Sequence, residues 1–355
     1  MDRGDARPDL QSAASGRVTV KDIARELGVS VATVSRALSP DKVIAPNTRA
    51  RVLEKARDMG YAPNLFARGL SSQRSRIAAL FASNITNPFY PEVVVKLTRR
   101  LQDVGLHTML FASEGAAGVD AALPLLRQYN PDIAIVLAAT MTSEALNQCL
   151  EGQTPVILFN RYVEGARASA VCCDNYEGGR LVATRLAEAG HRRPAFISGL
   201  EAASTNVDRR RGFCDGCAAA GLGAPQIISG GDFTYETGYE GMKRLAGGAT
   251  PPDAVFCAND IVAIGAMDAA RRDLGLSVPE DVSIVGFDDI AMASWPSHEL
   301  TTVRQPMNAM IEGVISEMSR LMESDDKSPR EQFLPGRLMV RKSARLAPAS
   351  QGEAS

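Results

Sequence analysis

No apolar run in the 355 residues is long enough to cross a membrane, which sets aside a membrane-spanning role. Residues 1–17 (MDRGDARPDLQSAASGR) are polar and lack the apolar stretch of a secretory signal. They are expected to form a disordered arm of a cytoplasmic protein. Histidine is scarce: His107, His191 and His298 stand far apart in the chain. There is no Ser-centred elbow, no phosphate-binding Gly-rich loop ending in Lys and no HExxH helix, so no catalytic residue, metal or cofactor is expected. A GxGxxG is missing as well, so a parallel sheet here would not argue for a dinucleotide. Of six cysteines, Cys214 and Cys217 make the one CxxC, inside a segment that reads as helix. A single pair is weak as a zinc signal, and small buried thiols account for all six.

Net charge is also small, at −2, but it is unevenly spread. Residues 1–76 hold 14 Lys and Arg against 8 Asp and Glu. The remainder holds 25 against 33. A basic head on an acidic body suits a protein whose head alone should meet phosphates.

The head carries a helix-turn-helix pattern over 18–38 (VTVKDIARELGVSVATVSRAL). Thr19 can cap a first helix, with Asp22 in the capping-box place. Ile23, Ala24 and Leu27 form its apolar stripe. Gly28 supplies a left-handed turn. Ser30 then caps a second helix whose Val34, Ala37 and Leu38 face inward. Small Ala24, turning Gly28 and plugging Val34 have the spacing of two helices in contact. Val31, Ala32, Thr33, Ser35 and Arg36 are left facing outward, able to meet a major groove. A third helix is expected within 40–59, capped by Asn47, with Val52, Leu53, Ala56 and Met59 on one face and Gly60 closing it.

The body reads as βαβα alternation from Ile77. Apolar strands at 77–82, 107–113, 133–138 and 155–160 alternate with helices at 90–105, 121–129 and 143–151. After DNYEGG (174–179) the alternation resumes through strands at 193–199, 226–230, 254–258 and 283–287. This predicts two doubly wound parallel-sheet subdomains with a cleft at the strand ends.

VKDIARELGVSVATVSRAL, the NLFARGL that follows the third helix, and the body segments CANDIVAIGAM (257–267) and VSIVGFDDIAMASWPSHELTTVRQP (282–306) resemble the LacI/GalR family of bacterial transcription regulators. That resemblance implies an all-α helix-turn-helix head at 18–62, a hinge helix and linker at 63–76, and an α/β body of periplasmic-binding-protein type at 77–342. Residues 343–355 are expected to be a disordered tail. It implies a repressor that binds a near-palindromic DNA operator as a homodimer and responds to a small polar effector, a sugar or sugar acid. Such a protein would work in the bacterial cytoplasm, on the nucleoid when bound. A solute-binding protein of the same body fold is the alternative, and the basic head argues against it.

On the DNA, Arg36, Val31 and Ala32 are the expected base readers, and Lys21, Arg49 and Arg51 the phosphate contacts. Thr19, Ser30, Thr33, Ser35 and Asn47 complete the face. From the hinge, the resemblance adds Asn64, Ala67, Arg68 and Leu70, with Leu70 as the wedge between base pairs in the minor groove. Gly69 departs from the family and costs the hinge up to ~1 kcal/mol of helix propensity. For the effector, the resemblance points to Phe89 in ITNPFY and to Arg209 in DRRRGF. Phe233 is expected as an aromatic wall, with Asn259 and Asp288 at strand ends. Asn259 could equally cap a helix. Many relatives have Asp after the fourth strand, where this chain has Asn160 and Arg161; the added cation favours an acidic ligand. The tail after Arg345 has no apolar heptad for a tetramer. A body helix with Val93, Val94 and Leu97 is the expected dimer face.

Overall fold

The structure, a computed structural model, describes residues 18–39, 42–61, 75–83, 85–113, 128–137, 146–147 and 154–346. The chain divides into two compact units, residues 1–75 and 76–355. The expected arm, residues 1–17, and residues 63–74 of the hinge expected at 63–76 lie outside the described residues, as does residue 62 of the head.

The first unit is a three-helix head. Helix α1 (Val20–Leu27) starts where the Asp22 carboxylate accepts from the Thr19 backbone N–H at 2.9 Å and from its hydroxyl at 2.7 Å. It ends at Gly28, whose φ of +65° a side chain would strain. Helix α2 (Val31–Leu38) is capped by Ser30, whose Oγ accepts from the Thr33 N–H at 3.1 Å. Helix α3 spans Pro46–Asp58. Ile23, Ala24, Val34, Ala37, Val52 and Ala56 form the shared core. Two expectations fail here. Asn47 is not the cap, because Pro46, with its φ already fixed, begins the helix a residue earlier. Leu53 points outward and is 40% exposed, since the stripe at Val52 and Ala56 already fills the small core.

Replacing Ser30 with Ala should cost the head about 1 kcal/mol, because the first-turn Thr33 amide loses its side-chain acceptor. Faster hydrogen exchange at residues 31–34 would show it; unchanged exchange would mean the cap contributes nothing.

The second unit holds two sheets, each of six strands among the described residues. In the first, the order is β11-β5-β4-β3-β1-β2, all parallel. Its strands are β1 (Ile77–Ser83), β2 (His107–Ser113), β3 (Ile133–Leu137), β4 (Val156–Phe159), β5 (Ser169–Cys173) and β11 (Glu331–Leu334). The second runs β12-β10-β9-β8-β6-β7, parallel except for β12. It is built from β6 (Pro194–Ile197), β7 (Gln226–Ile228), β8 (Ala254–Cys257), β9 (Ser283–Asp288), β10 (Thr301–Arg304) and β12 (Arg337–Met339). Strands β3, β4 and β5 are buried throughout, as their continuous apolar runs require of a sheet covered on both faces.

Helix α4 (Phe89–Asp103) packs on the first sheet, as does α9 (Met307–Glu323). Val93 and Leu97 are wholly buried in that core, so they are not a dimer face; the packing of α4 on its own sheet consumes them. On the second sheet lie α5 (Asn175–Glu188), α6 (Ser204–Ala219), α7 (Tyr235–Ala246) and α8 (Asp260–Asp268). The α5 and α6 backbones nearly touch: a Cβ on Gly212 would lie 1.9 Å from the Tyr176 carbonyl oxygen, and one on Gly179 2.3 Å from that of Arg209. Only hydrogens fit there.

The chain passes between the two subdomains at three places, around Asp174, Gln305 and Pro335–Gly336. The body does not stop at 342. Ser343 Oγ donates to the Ile284 carbonyl at 2.6 Å, Arg345 N–H donates to Ser283 Oγ at 2.9 Å, and Leu346 packs on the core. Strand β9 thus holds residues 343–346, the start of the expected tail. The helices expected at 121–129 and 143–151 fall largely outside the described residues, as does Cys149. Cys172, Cys173, Cys217 and Cys257 are buried free thiols and Cys214 is half-buried. Burial raises the Cys173 and Cys217 thiols to about 12. His191 is buried, its Nε2 3.2 Å from the Arg345 carbonyl oxygen. No helix among the described residues is long and apolar enough to cross a membrane.

Candidate functional site

Two sites emerge, one in each unit. In the head, burial of Val34 and Ala37 turns the opposite face of α2 to solvent. Val31, Ala32, Ser35 and Arg36 are all exposed there, with Thr33 half-buried beside Ser30. Thr33 Oγ1 lies 2.8 Å from Ser30 Oγ, so these two hydroxyls are partly committed to the cap. Thr19 and Lys21 are exposed, as are Asn47 and Arg51 on α3. Arg49 is different. Its guanidinium donates to the carbonyls of Ala37, Ser39 and Lys42, at 3.2, 2.8 and 2.5 Å. It closes the open end of α2 and ties the following loop to α3, a use of the cation that its place in the sequence did not reveal. Asn64, Ala67, Arg68 and Leu70 lie outside the described residues.

The body site gathers at the carboxyl ends of both sheets. Its centre is Arg209 on α6. Nε donates to Asn175 Oδ1 at 2.8 Å and Nη1 to the Ala258 carbonyl at 2.6 Å. Nη2 donates to Asp288 Oδ1 at 3.3 Å, and the guanidinium lies 3.7 Å above the Phe287 ring. Both members of the pair are almost wholly buried, with side chains 3% and 5% exposed. Burial pushes each toward its neutral form, the guanidinium down and the carboxyl up, and each charge opposes that push on the other. Gln305 Nε2, at a crossover, also donates to Asp288 Oδ1, at 2.8 Å. The glycine contact between α5 and α6 is what brings Arg209 within reach of Asn175.

Asp288 has a φ of +120°, a strained value for a side-chain-bearing residue. Asp289 follows at +58° and fixes the loop by accepting from Arg304 at 2.5 Å and Arg341 at 2.6 Å. From the first subdomain, Asn160 Nδ2 donates to the Tyr90 hydroxyl at 3.0 Å. Phe89 packs edge-on to Tyr90, with centroids 5.3 Å apart, and sits in the core. Burial raises the Tyr90 hydroxyl, which also feels the charges of Arg161 in its own subdomain and of Asp288 and Arg209 in the other. The Arg161 guanidinium lies 5.0 Å from the Phe233 ring centre, joining two expected site residues from opposite subdomains. Asn259 does cap α8: its Oδ1 accepts from the Val262 N–H at 3.0 Å.

Several buried polar atoms around this cluster have no hydrogen-bond partner: Asn160 Oδ1, Gln305 Oε1, Asn259 Nδ2, Asn206 Nδ2 and Ser198 Oγ. Sequence reasoning had missed Tyr90, Asn175, Asn206 and Gln305. Asn175 and Gln305 both sit where the chain leaves a strand and changes subdomain, a topological signal that only the sheet order exposes.

Residues 19–64 match the family model for bacterial regulatory proteins of the lacI family, and residues 183–344 that for a periplasmic binding protein-like domain. The probable HTH-type transcriptional repressor ExuR of Bacillus subtilis is 30% identical over 92% of this chain and 98% of its own length. The chain belongs to the LacI family. This LacI-family protein is a DNA-binding transcriptional regulator with a helix-turn-helix head and two parallel-sheet subdomains. Its fold matches the lac repressor dimer bound to operator and an anti-inducer, with a TM-score of 0.84 and 23% identity, over 93% of this chain and 99% of that one. The transcriptional regulator CelR in complex with cellobiose is 30% identical, with a TM-score of 0.69, over 92% of this chain and 100% of that one.

Proposed function

We propose that this regulator represses transcription by binding a near-palindromic operator as a homodimer, and that a sugar or sugar acid bound in the body cleft switches its operator affinity. The observation that carries the effector reading is the set of partnerless buried atoms around Arg209 and Asp288. Asn160 Oδ1 and Gln305 Oε1 call for donors; Asn259 Nδ2 and Asn206 Nδ2 call for acceptors. Vicinal hydroxyls supply both, and a buried polar group left unpaired is costly. The cellobiose held by CelR is in keeping with this. Arg161 beside Asn160 favours a ligand that also carries a carboxylate. A thermal-shift screen of neutral sugars against the matching sugar acids tests the reading. A rise in melting temperature with one class supports it; no response to either class counts against it.

On the operator, α2 lies in the major groove, with Arg36, Val31 and Ala32 toward the bases. Lys21 and Arg51 meet phosphates, and Arg49 holds the loop beside them. The hinge around Leu70 enters the minor groove. Duplex binding should weaken by roughly a thousandfold or more between 50 and 200 mM salt, as expected for about six phosphate contacts. The chain shortened to begin at Ile77 should bind no duplex at all. Fluorescence anisotropy measures both, and equal binding by the shortened chain would remove the head from the mechanism.

A further inference from the structure

The three covalent crossovers are not all that joins the subdomains of the body. The loop after β4 reaches from the first subdomain to α6 of the second. There the Tyr162 backbone N–H donates to Ser204 Oγ at 3.1 Å, and its hydroxyl donates to Asp208 Oδ2 at 3.0 Å. Ser204 and Asp208 are four residues apart on one face of α6, so a single residue clasps a full helical turn through its backbone N–H and its hydroxyl. Asp208 is 5% exposed and also faces Arg211, at 3.3 Å. The Tyr162 ring rests edge-on against Phe333, with centroids 5.8 Å apart, which fixes its direction. Burial and the Asp208 charge raise the hydroxyl to about 12, so it keeps the proton it donates. The next residue along α6 is Arg209, the centre of the effector cluster. The preceding residue in the loop is Arg161, which crosses to Phe233.

We propose that Tyr162 is a positioning residue that latches the two subdomains together over the cleft and sets how readily the cleft opens to its effector. The latch works through α6, which carries both its anchor and Arg209. A ligand can enter the buried cluster only if the subdomains part, and parting them about the three crossovers must release Tyr162. The affinity for any effector is therefore reduced or raised by the strength of a contact that never touches it. This meaning of the latch rests on the effector reading above, but its existence is testable without any effector.

Hydrogen–deuterium exchange on the full-length protein, with no ligand added, is the test. Loss of a hydrogen bond to a charged group predicts about tenfold faster exchange at 160–167 and 204–209 in Tyr162→Phe, with β1 and β9 unchanged. Asp208→Ala should do the same, and Asp208→Asn, which keeps an acceptor oxygen, should stay near wild type. The double variant Tyr162→Phe/Asp208→Ala should exchange no faster than either single one, as expected of one shared contact. Unchanged exchange at both segments in Tyr162→Phe would overturn the proposal. So would a rise spread evenly over the strands, which would mean general loosening. The thermal-shift screen stands or falls separately.

Discussion

Gly212→Ala is expected to destabilise the body by about 3 kcal/mol, at the upper end of what overpacking costs. The added methyl would sit 1.9 Å from the Tyr176 carbonyl oxygen, 2.8 Å from its carbon and 3.1 Å from the Arg180 nitrogen. All three are backbone atoms of α5, so no rotamer change relieves the clash. The helices must separate instead. Separation draws Arg209 away from Asn175, so the variant should also lose its response to any effector found by the screen. Urea denaturation with two spectroscopic probes measures the first effect, and duplex binding with effector present measures the second. A midpoint unchanged from wild type would mean the helices have room that the structure does not show.

Arg209→Met should cost a similar amount, about 3–5 kcal/mol, for an electrostatic reason. It leaves the Asp288 carboxylate buried with Gln305 alone beside it, and strands the acceptors on Asn175 and Ala258. With that cation gone, only the Gln305 hydrogen bond and the charge of Arg161 still oppose burial, and the Asp288 carboxyl titrates further above its unfolded value. The folded state then binds its proton more tightly than the unfolded state. Stability therefore rises as pH falls through that raised value, and is lost as pH climbs back toward neutrality. The deficit relative to wild type should shrink in mildly acidic buffer. Adding Asp288→Asn removes the stranded charge, and should recover much of the stability without restoring the effector response. Melting curves at a series of pH values check this. A deficit that grows on acidification would contradict it.

How much of this was legible in the sequence depended on how local the cause is. The head could be read because its caps and stripe act within a turn or two: Thr19 with Asp22, Gly28, Ser30 with Thr33. The resemblance placed Arg209 and Asp288 at the effector site, and the structure brings them together across 79 positions of chain. Strand β5 was missed, a short SAVCC run of mostly small residues with Val171 as its only large apolar side chain. So were β10, β11 and β12, whose polar residues make sense only beside their neighbours in the sheet. Helix α9 was missed for a related reason: it returns to the first sheet after the second is nearly complete. Asn47 was misplaced because proline outweighs a capping side chain. Val93 and Leu97 were assigned to a surface because a stripe does not say whether it meets its own sheet or a second copy. The glycine contact between α5 and α6 was invisible because each glycine explains itself only against the other helix.

The return of α9 and β11 to the first sheet has a consequence for the order in which the protein can be made. The head ends by residue 61 and can close as soon as it leaves the ribosome. The first sheet cannot. Strand β5 has an open edge until residues 331–334 are synthesised, and β10 waits for 337–339. Both subdomains are therefore completed within a few residues of each other, near the end of translation. Until then two unpaired strand edges are exposed at once, the state most open to pairing with a neighbouring chain. Slow synthesis over the last quarter of the chain should therefore favour aggregation of nascent protein, and one event should consolidate both halves of the body together.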